Sequence, residues 1–199
     1  MNQLLNNEKI ARKKSKIIPR LIIILGIIVF IVLLSILVFN FVIKNSEHKT
    51  SISDLQRHWN AYDYEAVYKL SNDILIENPF NNTALTYHGY SAFYLAVSQI
   101  DTALSQSYLD EAINNMRNAL LNAKHSLIPQ LEYMLGKAYF YKNTITSYYY
   151  ADLAVKYLVS ARKHGYKADD IPEYLGLSYA ALGQTMESIS AFTEALLIR

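Results

Sequence analysis

The chain has 199 residues, of which 52% are hydrophobic, with no cysteine, six glycines and four prolines. This length allows one domain, or one domain with an appendage, and the lack of cysteine excludes disulfides, thiolate metal sites and a cysteine nucleophile. The scarcity of glycine and proline argues against an all-β sandwich and against a disordered chain.

The formal charge of +2 is unevenly distributed along the chain. Six of the nineteen basic residues lie within residues 1–20, beside a single acid, Glu8. Residues 21–43 carry no charge, so residues 44–199 hold the other thirteen basic and sixteen acidic side chains. A mildly acidic body argues against nucleic-acid binding, because that function needs a basic face on the folded part.

Residues 21–43 form an apolar segment of 23 residues in which Ser35 and Asn40 are the clearly polar ones. A helix of this length extends about 34 Å at ~1.5 Å per residue, enough to cross a hydrocarbon core of about 30 Å. A cleaved signal peptide is the alternative, but its apolar region would be roughly 7–15 residues long and would end at a small-residue cleavage site. The segment is longer and offers no such site, which predicts an uncleaved transmembrane helix over residues 21–43.

The flanking charges predict the orientation of this helix. The six basic residues before it outnumber Lys44, Lys49 and Arg57, which lie in the twenty residues after it. The positive-inside bias therefore keeps residues 1–20 in the cytoplasm and places the body outside, beyond a linker at residues 44–50. The same basic tail is suited to hold anionic lipid at the inner leaflet.

The body shows helical periodicity and a repeated spacing around its glycines. Gly176 is followed by Phe192 at +16, and Gly136 by Leu158 at +22. In both cases a small residue, alanine or serine, comes four residues before the large side chain, and an alanine comes three residues after it. The same two intervals, of four and of three residues, recur after Gly89 behind a longer insertion. Near the start of the body, before Gly89, they are only partly present.

This pattern resembles the tetratricopeptide repeat (TPR) family, whose motif has an LG-x-x-Y run, then alanine and a large residue, and a terminal proline. The resemblance covers residues 51–199 and implies an all-α fold, an α-solenoid of antiparallel TPR-like helix pairs. Together with the apolar segment, this predicts an α-solenoid preceded by one transmembrane helix. The predicted units are about 51–79, 83–124, 129–165 and 171–199.

In proteins of this family the first helix of each pair lines a concave groove, which implies a partner-binding site here. Tyrosine suits such a groove because it offers a wide contact area and a hydroxyl group. The alternative is that these side chains fill the core between helices. The predicted groove residues are Tyr87, Tyr90, Phe93, Tyr94, Tyr133, Met134, Lys137, Phe140, Tyr141 and Tyr174. A C-terminal carboxylate ligand is not expected, because Asp170 and Glu173 oppose Lys137.

The sequence predicts no catalytic or metal site and no cofactor. The five histidines lie at spacings that do not match a metal site. Two acidic pairs, Asp110–Glu111 and Asp169–Asp170, are interpreted as helix-start residues that complement the helix dipole. Trp59 either packs in the first repeat or lies at the membrane interface.

We therefore expect a non-enzymatic, membrane-anchored scaffold that binds a protein or peptide, in the inner membrane of a bacterium, with its repeats in the periplasm. A chaperone-like accessory factor of the secretion machinery, and an import-receptor-like protein with repeats facing the cytosol, are the alternatives. No polar capping helix follows residues 191–198. We expect either that a partner or a second copy of the chain, in a homodimer, covers this last helix, or that the reading frame is truncated.

Overall fold

The computed structural model describes residues 25–39, 52–146 and 149–198. The chain divides into two compact units, Met1–Thr50 and Ser51–Arg199. In the first unit, residues 25–39 form a helix with exposed apolar side chains. Among the helices of the described ranges, none combines the length and the apolar character that crossing a bilayer requires. The rest of the predicted transmembrane helix, the predicted tail and the predicted linker lie outside the described residues.

The described part of the second unit consists of helices and turns, without strands. The helices are α1 (52–60), α2 (Tyr64–Glu77), α3 (Asn82–Ser98), α4 (Thr102–Leu121), α5 (Ile128–Ile145), α6 (Ala151–Lys163), α7 (Ile171–Ala181) and α8 (Thr185–Ile198).

Side chains at the helix starts explain several of these boundaries. Asp63, Asn81 and Asp101 each accept a hydrogen bond from the backbone N–H three residues later, which satisfies a free donor at the start of α2, α3 and α4. Pro129 and Pro172 lie in the first turn of α5 and α7, where a missing N–H costs nothing.

The helices stack as antiparallel pairs. From α2 to α8 each helix packs on the next one, and the first helices of successive pairs also touch, since α3 contacts α5 and α5 contacts α7. The predicted all-α architecture of paired helices is confirmed for this unit. The first helices α3, α5 and α7 therefore lie side by side and can form one surface.

Glycines set the distance between the two helices of a pair. In each of the pairs α3/α4, α5/α6 and α7/α8, a glycine of the first helix faces a large side chain of the second. These facing residues are Gly89 with Met116, Gly136 with Leu158, and Gly176 with Phe192. An added Cβ would lie 2.5, 2.6 and 2.8 Å, respectively, from the facing side chain, so a methyl group does not fit without a shift.

The interpretation of Asp110–Glu111 as a helix start is wrong. The helix α4 runs over Thr102–Leu121 and is capped by Asp101, so both acids lie in its interior. The insertion after the second glycine lengthens α4 toward its N-terminus, which moves the start of the helix away from these residues.

Candidate partner-binding surface

Aromatic side chains of α1, α2 and α3 surround Trp59. The centre of the Trp59 ring lies 5.5 to 5.9 Å from the ring centres of Tyr64, Tyr87, Tyr90 and Tyr94. Tyr64 stacks on Tyr94 with 4.3 Å between ring centres. Each such pair contributes about 0.5–1.5 kcal/mol beyond area burial, so the rings hold one another in place. Trp59 thus packs in the first repeat.

The same row of rings continues across α5 and α7. Phe93 of α3 lies 5.7 Å from Tyr141 of α5, and Tyr174 of α7 lies 4.9 Å from Phe140. Ring contacts therefore link the four first helices. We call this set of nine rings the aromatic surface: Trp59, Tyr64, Tyr87, Tyr90, Phe93, Tyr94, Phe140, Tyr141 and Tyr174.

The predicted groove residues divide into two groups by burial. Six are partly exposed: Tyr87, Tyr94, Lys137, Phe140, Tyr141 and Tyr174. Four are buried: Tyr90, Phe93, Tyr133 and Met134. All four belong to the main hydrophobic core and support the partly exposed rings from beneath. Sequence spacing alone does not separate the two groups, because a helix with neighbours on several sides buries more than one stripe.

A charged cluster lies between α5 and α7. The Nζ atom of Lys137 lies 3.0 Å from Oδ2 of Asp170 and 3.1 Å from the hydroxyl oxygen of Tyr133. The Tyr133 hydroxyl donates to Asp170 at 2.7 Å. Burial and this hydrogen bond raise the pKa of Tyr133, so the hydroxyl remains a donor at neutral pH. Lys137 also lies 4.9 Å from the ring centre of Tyr174, and its charge is compensated within the protein.

Asp170 lies at the predicted helix start, where an acid complements the helix dipole, and it also makes a contact that the sequence did not suggest. It occupies the N-cap position of α7, but in the described chain its side chain makes no capping hydrogen bond. Its carboxylate accepts from Tyr133 instead, 37 residues earlier in the sequence, and so joins α5 to α7. Such a distant pairing leaves no local sequence signal.

A cavity of about 450 Å³ opens beside the aromatic surface, between the start of α3 and the turn from α4 to α5. Its volume is within the range of about 300–1,000 Å³ typical of ligand sites. The apolar walls are Trp59, Tyr87, Tyr90 and Leu127, and polar groups of α3, α5 and the turn complete the lining. Sequence reasoning placed Tyr87 and Tyr90 on the groove but did not find this cavity, since residues of the α4–α5 turn close it.

A serine, a histidine and a carboxylate lie in hydrogen-bond contact beneath α3. Ser71 Oγ is 2.9 Å from Nδ1 of His88, whose Nε2 is 2.8 Å from Oε1 of Glu111. Nucleophilic catalysis uses the same three groups, but it requires access to a substrate. Ser71 and His88 are 0% and 2% exposed, and the Ser71 hydroxyl donates to the carbonyl of Val67. The cluster therefore links α2, α3 and α4 and has a structural role. No group of three metal-ligating side chains occurs within the described ranges.

Comparison with known proteins gives structural matches. No protein-family model and no curated protein matches the sequence. The crystal structure of TTC0263, a thermophilic TPR protein of Thermus thermophilus, is 17% identical, with a TM-score of 0.53 over 76% of this chain and 74% of that one. The fold is TPR-like. Two further structures share this TPR-like fold. The crystal structure of MamA is 18% identical, with a TM-score of 0.54 over 73% of this chain and 74% of that one. The MamA RS-1 ArsTM double mutant is 13% identical, with a TM-score of 0.57 over 74% of this chain and 72% of that one.

Proposed function

We propose that this protein is a membrane-anchored scaffold that binds a protein or peptide partner through its TPR-like unit. The observation that carries the proposal is the aromatic surface, which runs over all four first helices and keeps several large rings partly exposed. Aromatic rings held rigid by their neighbours bind a partner at a low cost in conformational entropy. The likeness to TTC0263 supports the fold on which this surface is built.

The ligand of the aromatic surface is an extended or helical segment with apolar side chains. Partly exposed rings such as Tyr94, Tyr141 and Tyr174 present apolar faces and hydroxyl groups together, which suits a polypeptide. Lys137, which lies over the ring of Tyr174, is already paired with Asp170, so a single acidic group of the ligand gains little from it.

Photocrosslinking tests this proposal directly. A photoreactive amino acid replaces Tyr94 or Tyr141 in the full chain, and Tyr149 serves as the control position because it is 84% exposed and lies in the turn before α6. We expect one partner to crosslink from both surface positions and not from Tyr149. Crosslinks that form equally at Tyr149, or none at the two surface positions, would contradict a role of the aromatic surface.

The membrane anchor and the orientation are part of the same proposal. They are supported by the uncharged residues 21–43 and by the excess of basic residues before them. We propose that residues 1–20 lie in the cytoplasm and that the repeats lie outside the inner membrane. Protease added to spheroplasts is then expected to cleave the TPR-like unit while residues 1–20 stay protected. Cleavage only after lysis of the inner membrane would favour the orientation of an import receptor.

The identity of the copurified partner separates the two extracytoplasmic roles. Translocon subunits recovered in mild detergent would favour a chaperone-like accessory of the secretion machinery, whereas cell-division or wall-synthesis proteins would favour an envelope scaffold. A homodimer through α8 is a further proposal, supported by the exposed Met186, Leu196 and Leu197. The mass of the purified protein in detergent tests it, and a monomeric mass would exclude it.

A further inference from the structure

The charged cluster between α5 and α7 holds a cation between a carboxylate and aromatic rings. The ammonium nitrogen of Lys137 lies 3.0 Å from Oδ2 of Asp170. It also lies 5.2 Å from the ring centre of Tyr133 and 4.9 Å from that of Tyr174. A carboxylate beside aromatic faces is an arrangement with which proteins bind ammonium and guanidinium groups. The chain's own lysine therefore shows which kind of group this part of the molecule accepts.

The carboxylate of Asp170 has room for another donor. Within the described residues, Oδ1 accepts from the Tyr133 hydroxyl, while Oδ2 accepts from the same hydroxyl and from Lys137. A carboxylate offers about four lone-pair sites, so these two donors leave it incompletely paired. The Asp170 side chain is 37% exposed, compared with 16% for Lys137, so a donor from outside the protein can reach it.

Partly exposed tyrosines lie within electrostatic reach of this carboxylate. Burial raises the pKa of Tyr94 and of Tyr166, and the negative charge of Asp170 raises both further. Tyr94 belongs to the aromatic surface, and the ring of Tyr166 stacks on that of Tyr133 with 4.7 Å between ring centres. Asp170 thus lies among the rings of the side on which we propose that the partner binds.

The charges around the start of α7 favour a cationic ligand. Three acids, Asp169, Asp170 and Glu173, outnumber the two lysines, Lys137 and Lys167. A cation of the ligand compensates the excess negative charge, whereas an acid of the ligand would increase it. Complementarity of charge therefore selects a basic side chain at this position.

We propose that Asp170 binds a cationic side chain of the partner, preferably the guanidinium of an arginine, at the edge of the aromatic surface. A guanidinium donates two hydrogen bonds to a carboxylate, and its flat face stacks on a tyrosine ring beside it. Apolar neighbours of the arginine pack on the adjoining rings. The inference rests on the proposed partner-binding function and names the residue type by which the partner is recognised.

Matched peptides test the inference on the full chain in mild detergent. The probe is a fluorescently labelled, C-terminally amidated Ala-Leu-Arg-Phe-Ala peptide, and the control peptides carry glutamine or glutamate in place of arginine. Fluorescence anisotropy measures the affinity. We expect the arginine peptide to bind about 5–10-fold more tightly than the glutamine peptide at low salt, and this ratio to shrink in about 1 M salt. Equal affinities, or tighter binding of the glutamate peptide, would overturn the inference.

Asp170→Asn removes the charge and keeps the size of the side chain, so it should abolish the preference for arginine. Asp110→Asn is the matched control, because Asp110 also pairs with a lysine, Lys142, but lies on α4, which contributes no ring to the aromatic surface. This control should bind both peptides as the wild type does. A preference for arginine that survives in Asp170→Asn would place the cation elsewhere and refute the assignment.

Lys137→Met distinguishes a binding role of Asp170 from a purely structural one. Without the internal ammonium the carboxylate is free for the ligand, so we expect the arginine peptide to bind about 3-fold more tightly or better and the glutamine peptide to be unaffected. The melting temperature and the circular dichroism spectrum report whether the variant is folded. Weaker binding of the arginine peptide by a folded Lys137→Met variant would show that the pair is closed to ligands.

These outcomes separate the inference from the proposed function. If a partner crosslinks at Tyr94 and Tyr141 while the arginine and glutamine peptides bind equally, the scaffold function stands and the inference is wrong. If the arginine peptide binds through Asp170 and no partner crosslinks at either position, the cationic site stands and the scaffold function is wrong.

Discussion

Replacing Gly136 with alanine tests whether the close approach of α5 and α6 determines stability. A Cβ at this position would lie 2.6 Å from Cγ of Leu158, 2.8 Å from Cδ2 and 3.1 Å from the Leu158 backbone nitrogen. Leu158 is fully buried, and its Cγ is a branch point close to the backbone, so it cannot turn away into solvent. The two helices must therefore move apart or Leu158 must leave its rotamer.

The net effect of Gly136→Ala on the free energy of unfolding is the difference between two opposing contributions. Alanine in a helix is about 1 kcal/mol more favourable than glycine. Overpacking a well-filled core costs about 1–3 kcal/mol, and the upper half of this range applies because both backbone and side chain must shift. We expect Gly136→Ala to destabilise the fold by about 1–2 kcal/mol. At Gly176 the three atoms nearest the Cβ all belong to the ring of the partly exposed Phe192, which can shift more easily, so Gly176→Ala is expected to be nearly neutral.

Thermal unfolding of the full chain in mild detergent, followed by far-ultraviolet circular dichroism, measures both variants. A loss of 1–2 kcal/mol lowers the melting temperature of a chain of this size by about 3–6 °C. Adding Leu158→Ala to Gly136→Ala provides the control, because the new methyl group then fills part of the space that the leucine leaves. The double variant should be more stable than the sum of the two single effects by about 1 kcal/mol or more. A Gly136→Ala variant as stable as the wild type, or additive single effects, would refute the packing argument.

Three further predictions concern polar contacts. The hydrogen bond with His88 holds the pKa of Glu111 below its ordinary value of 4.5. The ionised carboxylate therefore stabilises the fold above that pH, and this stabilisation is lost as the pH falls through the folded-state pKa. Glu111→Gln should therefore melt below the wild type at neutral pH, by an amount that shrinks at about pH 3; a constant difference would argue against the linkage. Tyr133→Phe deprives Asp170 of a buried donor and should lower the free energy of unfolding by about 1–2 kcal/mol in the same assay. An unchanged free energy of unfolding would show that this hydrogen bond does not stabilise the α5–α7 contact. Arg162→Ala breaks an exposed ion pair with α8 and should change stability by less than about 0.5 kcal/mol; a larger loss would assign the pair a packing role.

The paired-helix architecture was predictable because it depends on a few residue types at fixed spacing. Gly136 and Gly176 are each followed, on the next helix, by the large side chain that a Cβ would strike. This requirement is local to one pair of helices and therefore appears in the sequence as a repeated motif. The same periodicity predicted aromatic residues on the first helices, and Tyr94 and Tyr141 are partly exposed there.

Contacts between pairs were not predictable in the same way. Asp170 accepts from Tyr133, and Glu111 accepts from the Tyr68 hydroxyl, although each partner lies 37 or more residues away in the sequence. Single acids of this kind look the same whether they cap a helix, face solvent or join two helices. The cavity was missed for the related reason that its wall includes Leu127, in a turn whose path depends on the length of α4.

Burial is distributed unevenly along the stack, with eight buried residues on α5 and two on α8. In proteins built from stacked helix pairs, segments with few buried side chains open before the whole molecule unfolds. Amide hydrogens of α8 should therefore exchange with deuterium well before those of α5. Any molecule that covers the outer face of α8 would slow the exchange of these amide hydrogens and leave that of α5 unchanged. Deuterium uptake by α8 therefore shows whether this face is covered, even when the binding molecule is not known.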